Sequence, residues 1–143
     1  MKKHLAALAI LTVLFFGCKK SADKNLPLQG TYIGELIVRP STYQLIPNSP
    51  TEISFNSGNF IVKAGDKPTS GSGNFKLENN LLVFSDANIY TADFDWNRIL
   101  NGNYSYQIKG DSLILKKTIS LCKDPAQNCL TTIYQYNLIK KNN

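Results

Sequence analysis

Histidine is almost missing from this chain: of 143 residues only His4 is one, and it stands before the first apolar run. Without a second histidine there is no Ser–His or Cys–His catalytic pair and no histidine-based zinc site. Acidic residues are few as well, 10 against 16 Lys and Arg, for a net charge of +6. There is a single Trp, and there are only three cysteines, none of them in a Cys-x-x-Cys spacing. No apolar run approaches the roughly 20 residues needed to cross a hydrocarbon core. The longest, Leu5 to Phe16, is a dozen residues with Thr12 as its one polar member. Nor does any apolar stripe of helical period persist beyond two turns, which argues against an α-helical fold.

What is present begins with that short run. Lys2 and Lys3 precede it and Gly17-Cys18 closes it. A basic start, a short apolar core and a small residue at the end read as an export signal over residues 1–17. Leu14-Phe15-Phe16-Gly17-Cys18 resembles the bacterial lipobox, with Phe15 where leucine is usual. The resemblance implies cleavage before Cys18 and a lipid on its thiol. The alternative is plain secretion with a free Cys18, but no small-x-small site lies nearby, since Lys20 stands third back from Ala22. With Cys18 lipidated, Cys122 and Cys129 remain as a pair, and an oxidising compartment lets such a pair persist as a disulfide. Across so short a loop it would stabilise the fold by roughly 2–3 kcal/mol.

Removing the signal removes Lys2, Lys3 and His4, so the net charge falls from +6 by two, to +4. In an exported protein that excess does not argue for nucleic acid; it suits an anionic membrane face or solubility. Residues 18–29, CKKSADKNLPLQ, are polar and read as a tether between lipid and fold. Residues 30–143 suffice for one small domain.

That domain reads as β almost throughout. Gly30–Arg39 sets Tyr32, Gly34, Leu36 and Val38 on one face and Ile33, Glu35 and Ile37 on the other. Further strands are predicted over Thr51–Asn56, Asn59–Ala64, Asn74–Glu78, Leu81–Tyr90, Tyr104–Lys109, Ser112–Ser120 and Thr131–Lys141, with a short extra one at Tyr43–Ile46. Ser57-Gly58, Asn79-Asn80 and Gly110-Asp111 are two-residue hairpin turns. Gly65–Gly73 is predicted as a loop, and Thr91–Leu100 as a loop or helical turn. Eight or so short strands joined mostly by hairpins predict an all-β, up-and-down antiparallel barrel.

Chemistry-bearing candidates are sparse. Asp93-Phe94-Asp95-Trp96-Asn97 opens like a calcium loop, but Arg98 and Tyr104 occupy the places of its glycine and glutamate. Solvated loop acids, with Trp96 plugging a barrel end, fit those residues better. Asp93, Asp95 and Glu35 show no pairing that favours acid–base work. Ser70-Gly71-Ser72-Gly73 neither ends in Gly-Lys-Ser/Thr nor opens a helix, so it is no phosphate cradle. Neither a metal site nor a cofactor is expected. Tyrosine is the notable residue: Tyr104 and Tyr106 share a face, Tyr134 and Tyr136 share another, and Tyr32 lies on the opening strand. Inward-facing, they would line a pocket with apolar walls and hydroxyl tips; outward-facing, they would cover a β surface.

Several stretches resemble bacterial lipocalin-like lipoproteins of the kind common in Bacteroidetes. They are the lipobox, Leu28-Gln29-Gly30-Thr31-Tyr32, Trp96 followed by Leu100-x-Gly102-x-Tyr104-x-Tyr106, Gly110-Asp111-Ser112-Leu113-Ile114-Leu115, and Tyr134-x-Tyr136-x-Leu138. Lipocalins proper carry Gly-x-Trp on the first strand, where this chain has Tyr32. The resemblance implies a lipocalin-like barrel over about residues 28–141. It also implies a monomer anchored in the outer membrane by its N-terminal lipid. Surface-exposed lipoproteins of that phylum cluster acids after the cysteine; Lys19-Lys20-Ser21-Ala22-Asp23 offers one, which favours the periplasmic face. Asp111-Ser112-Leu113 resembles a short O-glycosylation motif of the same bacteria. The function expected is non-enzymatic binding of a small hydrophobic ligand, with Tyr32, Trp96, Tyr104, Tyr106, Tyr134 and Tyr136 as its lining. The alternative is a periplasmic interaction or inhibitor module with a filled barrel.

Overall fold

The computed structural model of the protein describes residues 28–42, 44–64, 70–91, 95–122 and 129–142. The signal 1–17, with Cys18, and most of the tether lie outside the described residues. Eight strands follow in order: β1 Gly30–Pro40, β2 Ser49–Asn56, β3 Asn59–Ala64, β4 Gly71–Glu78, β5 Leu81–Asp86, β6 Gly102–Lys109, β7 Ser112–Ser120 and β8 Thr131–Lys140. Each pairs antiparallel with its sequence neighbours, and β8 returns to β1. The closing ladder runs from Tyr32↔Lys140 to Pro40↔Thr132. The result is an all-β, closed, eight-stranded up-and-down barrel with lipocalin-like topology. Closure gives every strand a partner on both sides, so none is an edge strand along its whole length.

Period-two patterning explains why the barrel fills. One face of every strand turns inward and brings Tyr32, Leu36, Ile53, Phe55, Phe60, Phe75, Leu82, Phe84, Tyr104, Leu113, Leu115, Tyr136 and Leu138 into one cluster. Phe55 lies edge-on to Phe75 at 5.2 Å, Phe75 stacks on Phe84 at 5.6 Å, and Phe84 meets Tyr104 edge-on at 5.5 Å. Rings at such spacings are in contact, each pair contributing about 0.5–1.5 kcal/mol beyond the area it buries. Leu28, fully buried, belongs to this core, so the fold begins two residues before β1.

The two ends differ. The turns Ser57-Gly58, Asn79-Asn80 and Gly110-Asp111 all fall at one end, and Ser57, Asn79 and Asn80 adopt the positive φ such turns demand. The long connections β1–β2, β3–β4, β5–β6 and β7–β8 all fall at the other. Within the last of these Cys122 and Cys129 form a disulfide, with a Cα–Cα distance of 5.2 Å. Their pairing is the one parity predicts.

Most strand ends fall within two residues of expectation, and three departures are larger. Residues 44–48 form no strand, while Tyr43 lies outside the described residues. β5 stops at Asp86 and does not reach Tyr90, because the Asp86 carboxylate accepts from the Asn88 backbone N–H at 2.8 Å and from the Tyr90 hydroxyl at 2.9 Å. That local turn competes with the ladder. β4 begins at Gly71, three residues early, as Val62↔Gly71 and Phe60↔Gly73 pair with β3. Gly73 is needed there, since a Cβ would overlap the Ser85 carbonyl oxygen of β5. Of the predicted 65–73 loop, residues 65–69 lie outside the described residues.

Candidate functional site: the tyrosine-lined end of the barrel

β6, β7 and β8 each carry inward side chains to the long-loop end. There the segment 95–101 crosses the mouth, with a single 3-10 turn at Trp96–Arg98. Asp95 caps that turn, its carboxylate accepting from the Asn97 backbone N–H at 3.0 Å. Ile99 and Leu100 follow, 5% and 2% exposed, and Leu100 joins the barrel core. The segment therefore roofs the barrel.

Three of the expected tyrosines hold the roof. Tyr104 of β6 donates to the Ile99 carbonyl oxygen at 3.3 Å. Tyr136 of β8 donates to the Arg98 carbonyl oxygen at 3.0 Å. Tyr134, one turn of the pleat away on the same face, donates to Asp95 Oδ2 at 2.9 Å. The same carboxylate oxygen lies 3.9 Å from Arg98 Nε, so two groups compensate its charge. Burial raises all three phenols: Tyr134 to about 12, with Asp95 adding to the effect, and Tyr104 and Tyr136 well above the ordinary value. At neutral pH each hydroxyl is a neutral donor to a fixed acceptor, and none is placed to act as a base.

Lys117 of β7 was not among the expected residues. It follows Leu113 and Leu115 on the inward face, a lysine on an apolar period-two row. Its Nζ donates to the Asn101 carbonyl oxygen at 3.1 Å and lies 5.1 Å and 5.6 Å from the ring centroids of Tyr104 and Tyr134. Those π faces stabilise a cation with little water around it. Burial lowers the ammonium pKa, with Asp95 opposing the shift.

Of the other expected lining residues, Tyr32 and Tyr106 lie away from this end. Tyr32 is buried edge-on against Phe55 at 5.6 Å, and burial followed by the Asp111 charge raises its pKa. Tyr106 packs half-buried on the core further along β6. Trp96 does not plug the barrel. It is 52% exposed on the roof's outer side, edge-on to Tyr90 at 5.9 Å, and the residue of this segment that joins the barrel core is Leu100.

Among the described residues no group of three or more His, Cys, Asp or Glu side chains is placed to hold a metal ion. Asp95 is engaged as cap and tyrosine acceptor, while Asp93 lies outside the described residues. Comparison with protein-family models, curated proteins and solved structures returns no match for this chain. Its class therefore rests on topology: a lipocalin-like barrel with a buried, aromatic-lined interior.

Proposed function

We propose that this protein is a non-enzymatic, lipid-anchored envelope protein whose barrel takes a small hydrophobic ligand at its roofed end. The observation that carries this reading is the union of apolar walls and fixed polar tips. Phe84, Tyr104 and Tyr136 form the floor, while three phenol hydroxyls and Lys117 sit together just under the roof. Ligand sites have this composition, mostly apolar with a few oriented polar groups. The raised phenol pKa values suit binding, since hydroxyls that stay protonated orient a guest without reacting with it. Cys18 supplies the anchor, and the scarcity of acids after it favours the periplasmic face of the outer membrane.

A second reading has its own support. Phe55, Phe75 and Phe84 touch across the middle of the barrel, so that level is filled by the protein's own rings. A filled barrel suits an interaction or inhibitor module, whose partner would meet the outer face around Ile33 and Ile139, 44% and 60% exposed.

Native mass spectrometry of the protein purified from the envelope separates the two. Extra mass that is lost on denaturation supports the ligand carrier, and a clean apo mass supports the interaction module. The anchor is tested by Cys18→Ala: the variant is expected to leave the membrane fraction for the soluble one, and retention in the membrane would overturn it.

A further inference from the structure

The barrel wall is not evenly stitched. β6 pairs with β5 only through Gly102, Asn103 and Tyr104, and with β7 only from Ser105↔Lys116 onward to Lys109↔Ser112. Gly102–Tyr104 and Lys117–Ile119 therefore face each other with no ladder between them, although β7 stays paired to β8 as far as Ser120↔Thr131. The wall splits at this point, beside the roof. A groove of about 520 Å³ occupies the split, and Trp96, Ile99, Asn101, Asn103, Lys117 and Ile119 are among its lining residues. That size fits a small molecule.

The chemistry of the groove is asymmetric. Trp96, Ile99 and Ile119 offer apolar surface. Lys117 is the charged side chain among the described residues that line it, with Asp86, Asp95 and Arg98 nearby but not in the lining. Arg98, Tyr134 and the Asn97 N–H surround the Asp95 carboxylate, and Tyr90 and the Asn88 N–H hold the Asp86 carboxylate. Lys117 makes no ion pair with any described residue and uses one of its three N–H donors, on Asn101. The groove therefore presents a half-buried ammonium that no described carboxylate pairs, with N–H donors to spare. Resting on the ligand-carrier reading, we infer that the split between β6 and β7 binds a small anionic amphiphile, its acid group on Lys117 and its apolar body against Trp96 and Ile119. The ligand enters through the side of the barrel, because tyrosine-held backbone covers the mouth.

Trp96, the chain's single tryptophan, is a built-in reporter. The full chain is held in phosphatidylcholine nanodiscs and titrated with 1-anilinonaphthalene-8-sulfonate and, separately, with the neutral N-phenyl-1-naphthylamine. The two share a ring system and differ in the acid. Energy transfer from Trp96 is read against empty discs. The expected result is binding of the sulfonate at least about tenfold tighter, about 1.4 kcal/mol. Lys117→Met should abolish that preference and Lys117→Arg should retain it, with far-UV circular dichroism confirming both folds. Equal affinity for the two dyes, or an unchanged preference in Lys117→Met, overturns this inference and leaves the carrier reading standing. Transfer to neither dye overturns both. Displacement of the sulfonate by phosphatidylglycerol in the disc supports the inference with a lipid headgroup as the acid, and its persistence supports it with a free small acid.

Discussion

The Tyr136 hydroxyl donates to the Arg98 carbonyl oxygen across 3.0 Å, joining residues 38 positions apart in the chain. This bond and its companion from Tyr104 to Ile99 tie a strand interior to a segment that has little regular structure of its own. The roof is therefore a tertiary object. A single 3-10 turn does not hold its shape alone.

Tyr136→Phe tests that dependence. It removes the donor and leaves the ring, so the floor stays packed while the Arg98 carbonyl loses its partner. The expected loss is about 1 kcal/mol of stability, read from the urea midpoint. Faster amide exchange should appear at 96–99 and not in β1 or β2. Uniform acceleration across the barrel would contradict the latch.

At the β1–β2 ladder the buried Thr51 hydroxyl has no hydrogen-bond partner among the described residues. Valine has nearly the same shape without the polar group. Thr51→Val should therefore raise stability by about 1 kcal/mol, visible as a higher urea midpoint with an unchanged slope. A lower midpoint would show that the hydroxyl is satisfied in solution.

Gly34 sits where β8 presses against β1, and a Cβ there would overlap the Asn137 carbonyl oxygen. Both parties are backbone in the ladder that closes the barrel, so neither can yield cheaply. Gly34→Ala should cost about 3 kcal/mol or more, at or beyond the upper end for overpacked sites. Gly102→Ala meets no atom within 4 Å but has φ +90°, so its cost is conformational. Equal midpoints for Gly34→Ala and the unsubstituted protein would disprove the close approach.

Alkaline pH should weaken the roof. In the unfolded chain tyrosine ionises near pH 10, whereas Tyr90 and Tyr134 hold their protons to about 12 in the fold, and Tyr104 and Tyr136 are raised as well. Below pH 10 both states carry neutral phenols and the contribution is flat. Between pH 10 and 12 the unfolded state binds fewer protons than the folded one, so stability falls as pH rises. The urea midpoint should hold through neutrality and drop in that window, and the native tyrosinate band should lag that of the unfolded chain. Coincident titrations would show that the phenols are solvated.

Much of this was legible in the residues alone. Strand faces follow from a local rule, since successive side chains point to opposite sides, and so Tyr32-Leu36-Val38 and Tyr134-Tyr136-Leu138 could each be read as one face, which the structure turns inward. The hairpin turns were legible for the same reason, being set by which residues tolerate positive φ. Lys117 carried a signal too, as a charge on an apolar row. Gly71-Ser72-Gly73 misled, because small residues that mark a loop by composition here allow two strands to touch.

The sequence by itself determined an all-β chain, its turns, which side chains share a strand face and the cysteine pairing, because each depends on neighbours a few residues apart or on counting. Only the tertiary structure decided which tyrosines meet, that Trp96 lies outside and Leu100 inside, and that the wall parts between Tyr104 and Lys117. Alternation says which way a side chain points. It does not say how far along the barrel it sits, and that height comes from strand register and closure, which belong to all eight strands at once.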